Sequence, residues 1–235
     1  MKIFTAIRQC IPVCAAAIII CLSLTFLTDK AVTTVSETLP LDGRRCVIID
    51  AGHGGVDGGA VSCTGIKESQ LNLEFAQKLR DIFHLLGIKT LMLRNTDADL
   101  SRVGGTIAAR KISDLKERVR IINESEDSLL VSLHQNYFPD SRYSGPQVFY
   151  NGLENSKDIA GEVQQGIHTH LSKTNKRSIK KCSGVYIMEH IQRPGILIEC
   201  GFLSNPAEEA LVRQRDYQKK FCCTVAVILS RCLNT

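Results

Sequence analysis

Four residues of this 235-residue chain have the types and settings that metal-assisted hydrolysis needs. They are His53 in Ile49-Asp50-Ala51-Gly52-His53-Gly54-Gly55, Glu68 in Lys67-Glu68-Ser69, His134 in Ser132-Leu133-His134-Gln135-Asn136, and Glu199 in Leu197-Ile198-Glu199-Cys200-Gly201-Phe202. His53, His134 and Glu199 stand at or just past the end of β-branched apolar runs, where open α/β sheets gather ligand groups. Two imidazoles and a carboxylate are the donor set of a catalytic zinc, which keeps a fourth position open for water. The second acid is then free to act as general base. The pattern predicts a metallohydrolase.

The other histidines lack such settings. His84 lies off the apolar stripe of its helix, and His168 and His170 sit in a polar helix end; with His190 they read as ordinary surface or core residues. His53 is embedded in glycines, which let the backbone turn sharply and a ligand approach. His134 ends an apolar run, where a buried imidazole needs a partner. Glu199 follows Ile196-Leu197-Ile198, surroundings that raise a carboxylate's pKa unless a cation or hydrogen bonds offset the burial. Glu68 taken alone could simply be a charge favoured at a helix N-terminus. A helical H-E-x-x-H motif is absent, so a zincin-type peptidase is unsupported. Gly52-x-Gly54-x-x-Asp57 lacks the third glycine of a dinucleotide fingerprint.

The elements that must position these groups follow from hydrophobic periodicity. Cys46–Asp50 reads as a buried first strand, and Gly52–Gly65 as an extended glycine-rich loop. From Glu68, the stripe Leu71, Phe75, Leu79, Ile82, Phe83 and Leu86 predicts a helix ended by Gly87. Ile88–Leu93 is a second strand, and Asn95–Arg110 a polar rim loop. Leu115, Val119 and Ile122 mark a helix, Ser128–Leu133 a strand ending at His134, and Gln147–Tyr150 a short strand. Ile159, Val163, Ile167 and Leu171 mark another helix. Val185–Met188 and Gly195–Glu199 are the last strand candidates, before a helix on Tyr217, Phe221, Val225, Ile228 and Cys232. Alternation of this kind predicts an α/β sheet layered by helices. Glu199 and Cys200 are neighbours on a strand, so Cys200 should face away from the site.

Met1–Arg8 carries Lys2 and Arg8 without an acid, and Ile11–Leu27 is uncharged and almost wholly apolar. Residues 1–27 therefore read as a membrane anchor or signal segment, favoured as uncleaved, with residues 28–44 as a linker. Export to the cell envelope follows, with the N-terminus on the cytoplasmic side. The net charge of +5 is mild, and no arginine-rich helix or aromatic platform supports a nucleic-acid partner. It would equally suit an anionic envelope polymer. Of the ten cysteines, Cys10, Cys14 and Cys21 fall in the anchor. The rest are scattered without a C-x-x-C pair and read as small hydrophobes rather than a disulfide framework.

Taken together, Ala51-Gly52-His53-Gly54-Gly55 with Asp57-Gly58-Gly59-Ala60, Lys67-Glu68, Leu91-Met92-Leu93-Arg94, Leu115-x-x-Arg118 with Asn123, Ser132-Leu133-His134-Gln135-Asn136 and Ile198-Glu199-Cys200-Gly201-Phe202-Leu203-Ser204-Asn205 resemble the zinc-dependent N-acetylmuramoyl-L-alanine amidases of the amidase-3 type. The resemblance implies zinc on His53, Glu68 and His134, and Glu199 as catalytic acid/base. It also implies one α/β domain over residues 45–235, with a central, mostly parallel six-stranded sheet flanked by helices. Gln135 departs from the alanine of many members and is expected to alter the groove wall rather than the metal. Leu39-Pro40-Leu41 and Arg110-Lys111-x-x-Asp114-Leu115 resemble the spore-cortex branch, which removes peptide stems on the way to muramic-δ-lactam. The implied partner is peptidoglycan, met at the envelope or between the forespore membranes with the help of the N-terminal segment or a helper protein. A vegetative-wall amidase or a non-catalytic peptidoglycan-binding module are the alternatives. Asn136 and Asn205 are candidates for substrate orientation or turn formation, and Arg94 and Arg118 for pairing with peptide carboxylates or, preferably, for salt bridges inside the fold.

Overall fold

The computed structural model describes residues 46–153 and 155–233. The proposed anchor and linker, residues 1–44, lie outside the described residues. Strand β1 (Cys46–Ala51) is buried along all but its first residue, as a strand covered on both faces must be. It pairs in parallel with β2 (Thr90–Met92) on one side and β3 (Ser128–Asn136) on the other. Beyond β3 come β6 (Gly195–Phe202), parallel, then β4 (Gln147–Tyr150), antiparallel to β6, and β5 (Lys180–Lys181) at the edge. The sheet order is β2-β1-β3-β6-β4-β5. The chain leaves β1 towards β2 and returns past it to β3, so a topological switch point opens between the carboxyl ends of β1 and β3, the usual ligand crevice of such sheets.

Helix α1 (Glu68–Leu85) buries Leu71, Phe75, Ala76, Leu79 and Phe83 along one stripe. It ends in a Schellman turn: Gly87, at φ +69°, donates to the His84 carbonyl and Ile88 to that of Phe83. With α3 (Ser156–His170) and α6 (Arg215–Cys232) it covers one sheet face, enclosing the larger core of Val47, Ile49, Leu133, Ile198, Phe75 and Phe221. Phe75 and Phe221 meet edge to face, with ring centroids 5.4 Å apart. On the other face α2 (Ile107–Glu124) and the short α4 (Tyr186–His190) enclose Ile48, Ile122, Leu130, Met188 and Leu197. Short α5 (Pro206–Val212) links β6 to α6. The described residues thus form the α/β sandwich that the sequence predicts. Among them, no helix is long and apolar enough to cross a membrane, and Cys200 and Cys222 are free thiols buried in the larger core.

Three expectations are corrected. Val185–Met188 is no strand: both flanks of β6 are taken by β3 and β4, so the segment turns at Gly184 (φ +76°) into α4 and buries Ile187 and Met188 in the smaller core. The outer strand is instead the exposed Lys180–Lys181 pair, which carries no hydrophobic signal. Helix α2 begins at Ile107, capped by the Thr106 hydroxyl, so Arg110 belongs to its first turn and not to the rim loop. Finally, β3 and β6 run on past His134 and Glu199, so both residues lie within their strands rather than at their ends.

One ion pair network ties α2 to the sheet. Arg118, 1% exposed, binds Asp50 of β1 through Nη1 and Asp114 through Nε at 2.8 Å. It also donates to the carbonyls of Ala51 (3.1 Å) and His53 (2.8 Å). Burial works against the charge of Arg118, but Asp50 and Asp114 outweigh it and raise its pKa. Replacing Arg118 by Met strands Asp50 without its cation. The expected loss is about 3–5 kcal/mol, read from the midpoint of denaturant unfolding; a loss below about 1 kcal/mol would show that the network carries no weight in the fold.

Candidate metal centre

The loop after β1 aims its histidine by an uncommon backbone. His53 has φ +62°, the left-handed region that a non-glycine residue adopts at a cost of about 1–3 kcal/mol unless its surroundings impose it. Here they do. Arg94 donates to the Ala51 carbonyl through Nε (2.8 Å) and to the carbonyls of Gly52 (3.1 Å) and Ser69 (2.8 Å) through Nη2. Arg118 takes the carbonyls of Ala51 and His53 from the α2 side. The two guanidiniums thus fix three successive carbonyls. Asp97 and Asp99 of the rim loop accept the Gly55 and Val56 N–H groups, holding the glycine segment from outside.

Three sequence-predicted residues converge at the switch point. His53 Nε2 lies 3.2 Å from Glu68 Oε2, and His134 Nδ1 lies 3.0 Å from Glu68 Oε1. One ligand atom from each residue falls within 4.8 Å of the others. The remaining valences are spoken for. His53 Nδ1 donates to Asp57 Oδ2 at 2.9 Å, and the same oxygen meets Lys111 Nζ at 2.9 Å. An ionised carboxylate only accepts, so Asp57 holds the proton on Nδ1 and, in the neutral ring, leaves the Nε2 lone pair available to a metal. Glu68 receives the Ala60 N–H on Oε2, and the Gln135 N–H and the Asn72 amide on Oε1. A nitrogen–nitrogen–oxygen set with oriented outer partners fits a zinc ion.

Electrostatics agree with a cation site. Burial opposes the charge of Glu68, yet the hydrogen bonds of His134 and His53 hold it far below the ordinary glutamate range. Burial also disfavours a charged His53, but Glu68 and then Asp57 push its pKa up to about 9. Glu199 stands across from His134 in the β3–β6 ladder. Paired residues share a face, and the next one takes the opposite face, so Cys200 faces away as expected, into the larger core. Burial raises Glu199 to about 7, with His134 and His53 opposing and the charge of Glu68 adding to the rise. Its Oε2 is buried without a hydrogen-bond partner. Such an atom is costly unless a ligand or cation completes it. The β3–β6 register slips just past this pair, between His134 and Asn136, as is common for bulges beside active sites.

A family model for N-acetylmuramoyl-L-alanine amidases (Amidase_3) matches residues 47–230. The chain belongs to that amidase family. It is similar to the germination-specific N-acetylmuramoyl-L-alanine amidase of Bacillus subtilis (strain 168), at 39% identity over 191 residues, which cover 80% of this chain and 79% of the relative. Among solved structures it is similar to the CwlD amidase of Clostridioides difficile in complex with the GerS lipoprotein: 32% identity, TM-score 0.77, 81% of this chain and 98% of that one. A second is the N-acetylmuramoyl-L-alanine amidase from Clostridium difficile 630, at 29% identity and TM-score 0.72, covering 83% and 99%.

Other predicted residues of the amidase find more modest places. Gln135 does not line the groove: it is 3% exposed, and its side chain turns to Asn72 at 3.4 Å, because it alternates with His134 along β3. Asn205 caps α5 through Oδ1 and donates to the Tyr143 carbonyl, a structural role. Asn136 contributes its carbonyl to Leu203 N–H. Arg118 makes the salt bridges expected inside the fold, whereas Arg94 donates to backbone carbonyls instead. Asn72 and Lys111 were not legible as site residues; only the helical spacing of four from Glu68 hints at Asn72.

Gly52 carries a testable constraint. A Cβ there would sit 2.2 Å from both Cε1 and Nε2 of His134. Gly52→Ala is therefore expected to displace the imidazole and weaken zinc affinity on the order of 10–100-fold. Competition against a chromophoric chelator measures this, and unchanged affinity would separate the His134 ring position from metal binding.

Proposed function

We propose that this chain is a zinc-dependent enzyme that hydrolyses the amide between the lactoyl carbonyl of N-acetylmuramic acid and the nitrogen of L-alanine. His53, Glu68 and His134 hold the metal, and Glu199 is the catalytic acid/base. The observation that carries this reading is one crevice holding an oriented His–Glu–His set together with an unpartnered glutamate of raised pKa. Zinc bound there supplies Lewis acidity, polarising the amide carbonyl and bringing the pKa of water down to about 7. Glu199 takes one proton of the attacking water and returns it to the alanine nitrogen as the C–N bond breaks; the products are a carboxylic acid and an amine, which ionise to carboxylate and ammonium. Asp57, steadied by Lys111, keeps the proton on His53 Nδ1. The N–H groups of Ala60 and Gln135 and the amide of Asn72 hold the Glu68 carboxylate in place.

The likeness to the germination-specific relative supports a role in the spore cortex, where release of stem peptides precedes muramic-δ-lactam formation. Residues 1–27 are proposed as the membrane anchor and 28–44 as its tether, placing residues 45–235 in the envelope. The CwlD relative was solved with a lipoprotein, which supports a helper protein here too. Digestion of cortex and vegetative-wall peptidoglycan side by side, read by mass spectrometry, tests the reading. Free stem peptides with intact glycan from cortex are expected. Release from vegetative wall alone would move the role to cell separation, and release from neither, with zinc bound, would leave a binding module.

Glu199→Gln is expected to lower stem release on the order of 10²–10⁴-fold while zinc stoichiometry stays intact. Undiminished release would remove Glu199 from its role. Zinc uptake should also expel a proton. His53 is protonated below its pKa of about 9, whereas the coordinating ring is neutral, so affinity rises with pH from 7 to 9, by up to about tenfold per unit for each proton released. Calorimetry in buffers of different ionisation enthalpy reads the proton directly. A heat independent of buffer at pH 7 contradicts the assignment.

A further inference from the structure

A cleft next to β4 contains an arginine, Arg177, that the reaction above does not use. Gln147 faces Glu199 in the antiparallel β4–β6 ladder, so the two side chains share a face. Gln147 is buried, gives Nε2 to the Ser178 carbonyl at 2.8 Å and receives Arg177 Nη1 on Oε1 at 3.1 Å. Arg177 also donates Nε to the Ser144 carbonyl at 2.7 Å. Its guanidinium lies 4.5 Å from the centroid of the Phe202 ring and 5.9 Å from that of Tyr143. Phe202 lies on the same strand as Glu199, three residues on.

Arg177 is therefore held by two rings and two hydrogen bonds, one of them to the Gln147 side chain that shares a face with Glu199. Among the described residues it makes no salt bridge, unlike Arg118; Arg94 also lacks one, but its donors are spent on four backbone carbonyls. Glu208 borders the same cleft, accepts the N–H groups of Gly145 (2.7 Å) and Phe202 (2.9 Å) and feels the charge of Arg177, but forms no ion pair with it. The cleft measures about 410 Å³, and Arg142, Asn175 and Lys176 also line it. Lys176 is exposed and adds a second charge, whereas Arg142 is paired with Asp140 at 2.7 Å. A preorganised guanidinium with free donor capacity is suited to a carboxylate, which it meets by its planar fork.

We propose that the Arg177 cleft is the subsite for a free carboxylate of the substrate's peptide, lying beyond the alanine whose nitrogen is released. This rests on the amidase reading and deepens it by giving the substrate a direction. The muramoyl carboxyl is tied up in the scissile amide, so the acid must come from the peptide. The peptide then runs towards β4 and β5, and the glycan towards the β1 and β2 side.

The test uses the full chain loaded with zinc and two N-acetylmuramoyl-L-alanyl peptides, identical except that the acidic group beyond alanine is a carboxylate in one and a carboxamide in the other. The wild type is expected to favour the acid by about 10–100-fold in kcat/KM, mainly through KM. Arg177→Ala should bring the two substrates to parity. Arg177→Lys should keep part of the preference, since it retains charge without the fork. Thermal melting identifies any variant that fails to fold, and the wild-type comparison and Arg177→Lys then decide. A wild type indifferent to the carboxylate, or an Arg177→Ala loss equal for both substrates, overturns the subsite. Calorimetry with the corresponding free peptides needs no turnover. If neither muramoyl peptide is cleaved while the acidic one still binds more tightly in an Arg177-dependent way, the amidase reading fails and the subsite stands.

Discussion

At the carboxyl end of β1 the chain must leave the sheet, and the carbonyls of Ala51, Gly52 and His53 lose their ladder partners inside the protein. Arg94 and Arg118 replace those partners from opposite sides. Unpaired buried carbonyls and unpaired buried arginines are each expensive; together they satisfy one another, with Asp50 and Asp114 balancing part of the charge. The left-handed backbone of His53 persists because of this clamp. Strand β1, helix α2 through Arg118 and the Ser69 carbonyl at the start of α1 all meet at the same few atoms, so the candidate site and the core share one foundation.

The site built on that foundation separates its two acids by environment. Glu68 is surrounded by donors: two imidazoles, two backbone N–H groups and an amide. Its ionised form is strongly favoured, which suits a ligand that must stay charged. Glu199, one strand further along, meets none of these donors and is held near neutrality by burial. A carboxylate with a pKa close to working pH both accepts and returns a proton with little driving force lost. The parallel β3–β6 pairing sets the distance between the two environments, since it places His134 and Glu199 side by side.

Much of this was legible beforehand. The four chemical residues, the apolar strands and the stripes of α1, α3 and α6 stand out because burial leaves a periodic trace. The two-residue β5 could not be read, since Lys180–Lys181 pairs only through its backbone. Val185–Met188 misled because a short apolar run looks alike in a strand and a buried helical turn. The helical phase that hides Asn72 behind Glu68 leaves a trace only after the helix start is known. Gln135 was misplaced because alternation along β3 was not carried one residue past His134. The positive φ of His53 has no sequence signal beyond its glycine neighbours, which permit the turn but do not dictate it.

The arginines separate fold from recognition by one criterion. Arg94 and Arg118 are buried, and their donors are taken by carbonyls and carboxylates of the chain itself. Arg177 is placed by the antiparallel half of the sheet, where β4 departs from the parallel order and opens the crevice to a longer ligand. Its stacking on Phe202 and Tyr143 orients a charge that Glu208 of the same cleft also feels. In sheet order, the His–Glu–His set at the β1–β3 switch point and Arg177 beside β4 lie on either side of Glu199. On the proposed reading, a substrate with its scissile bond at Glu199 meets a metal-ligand set on the acyl side and a guanidinium on the peptide side, and that asymmetry distinguishes the acyl sugar from the peptide it carries.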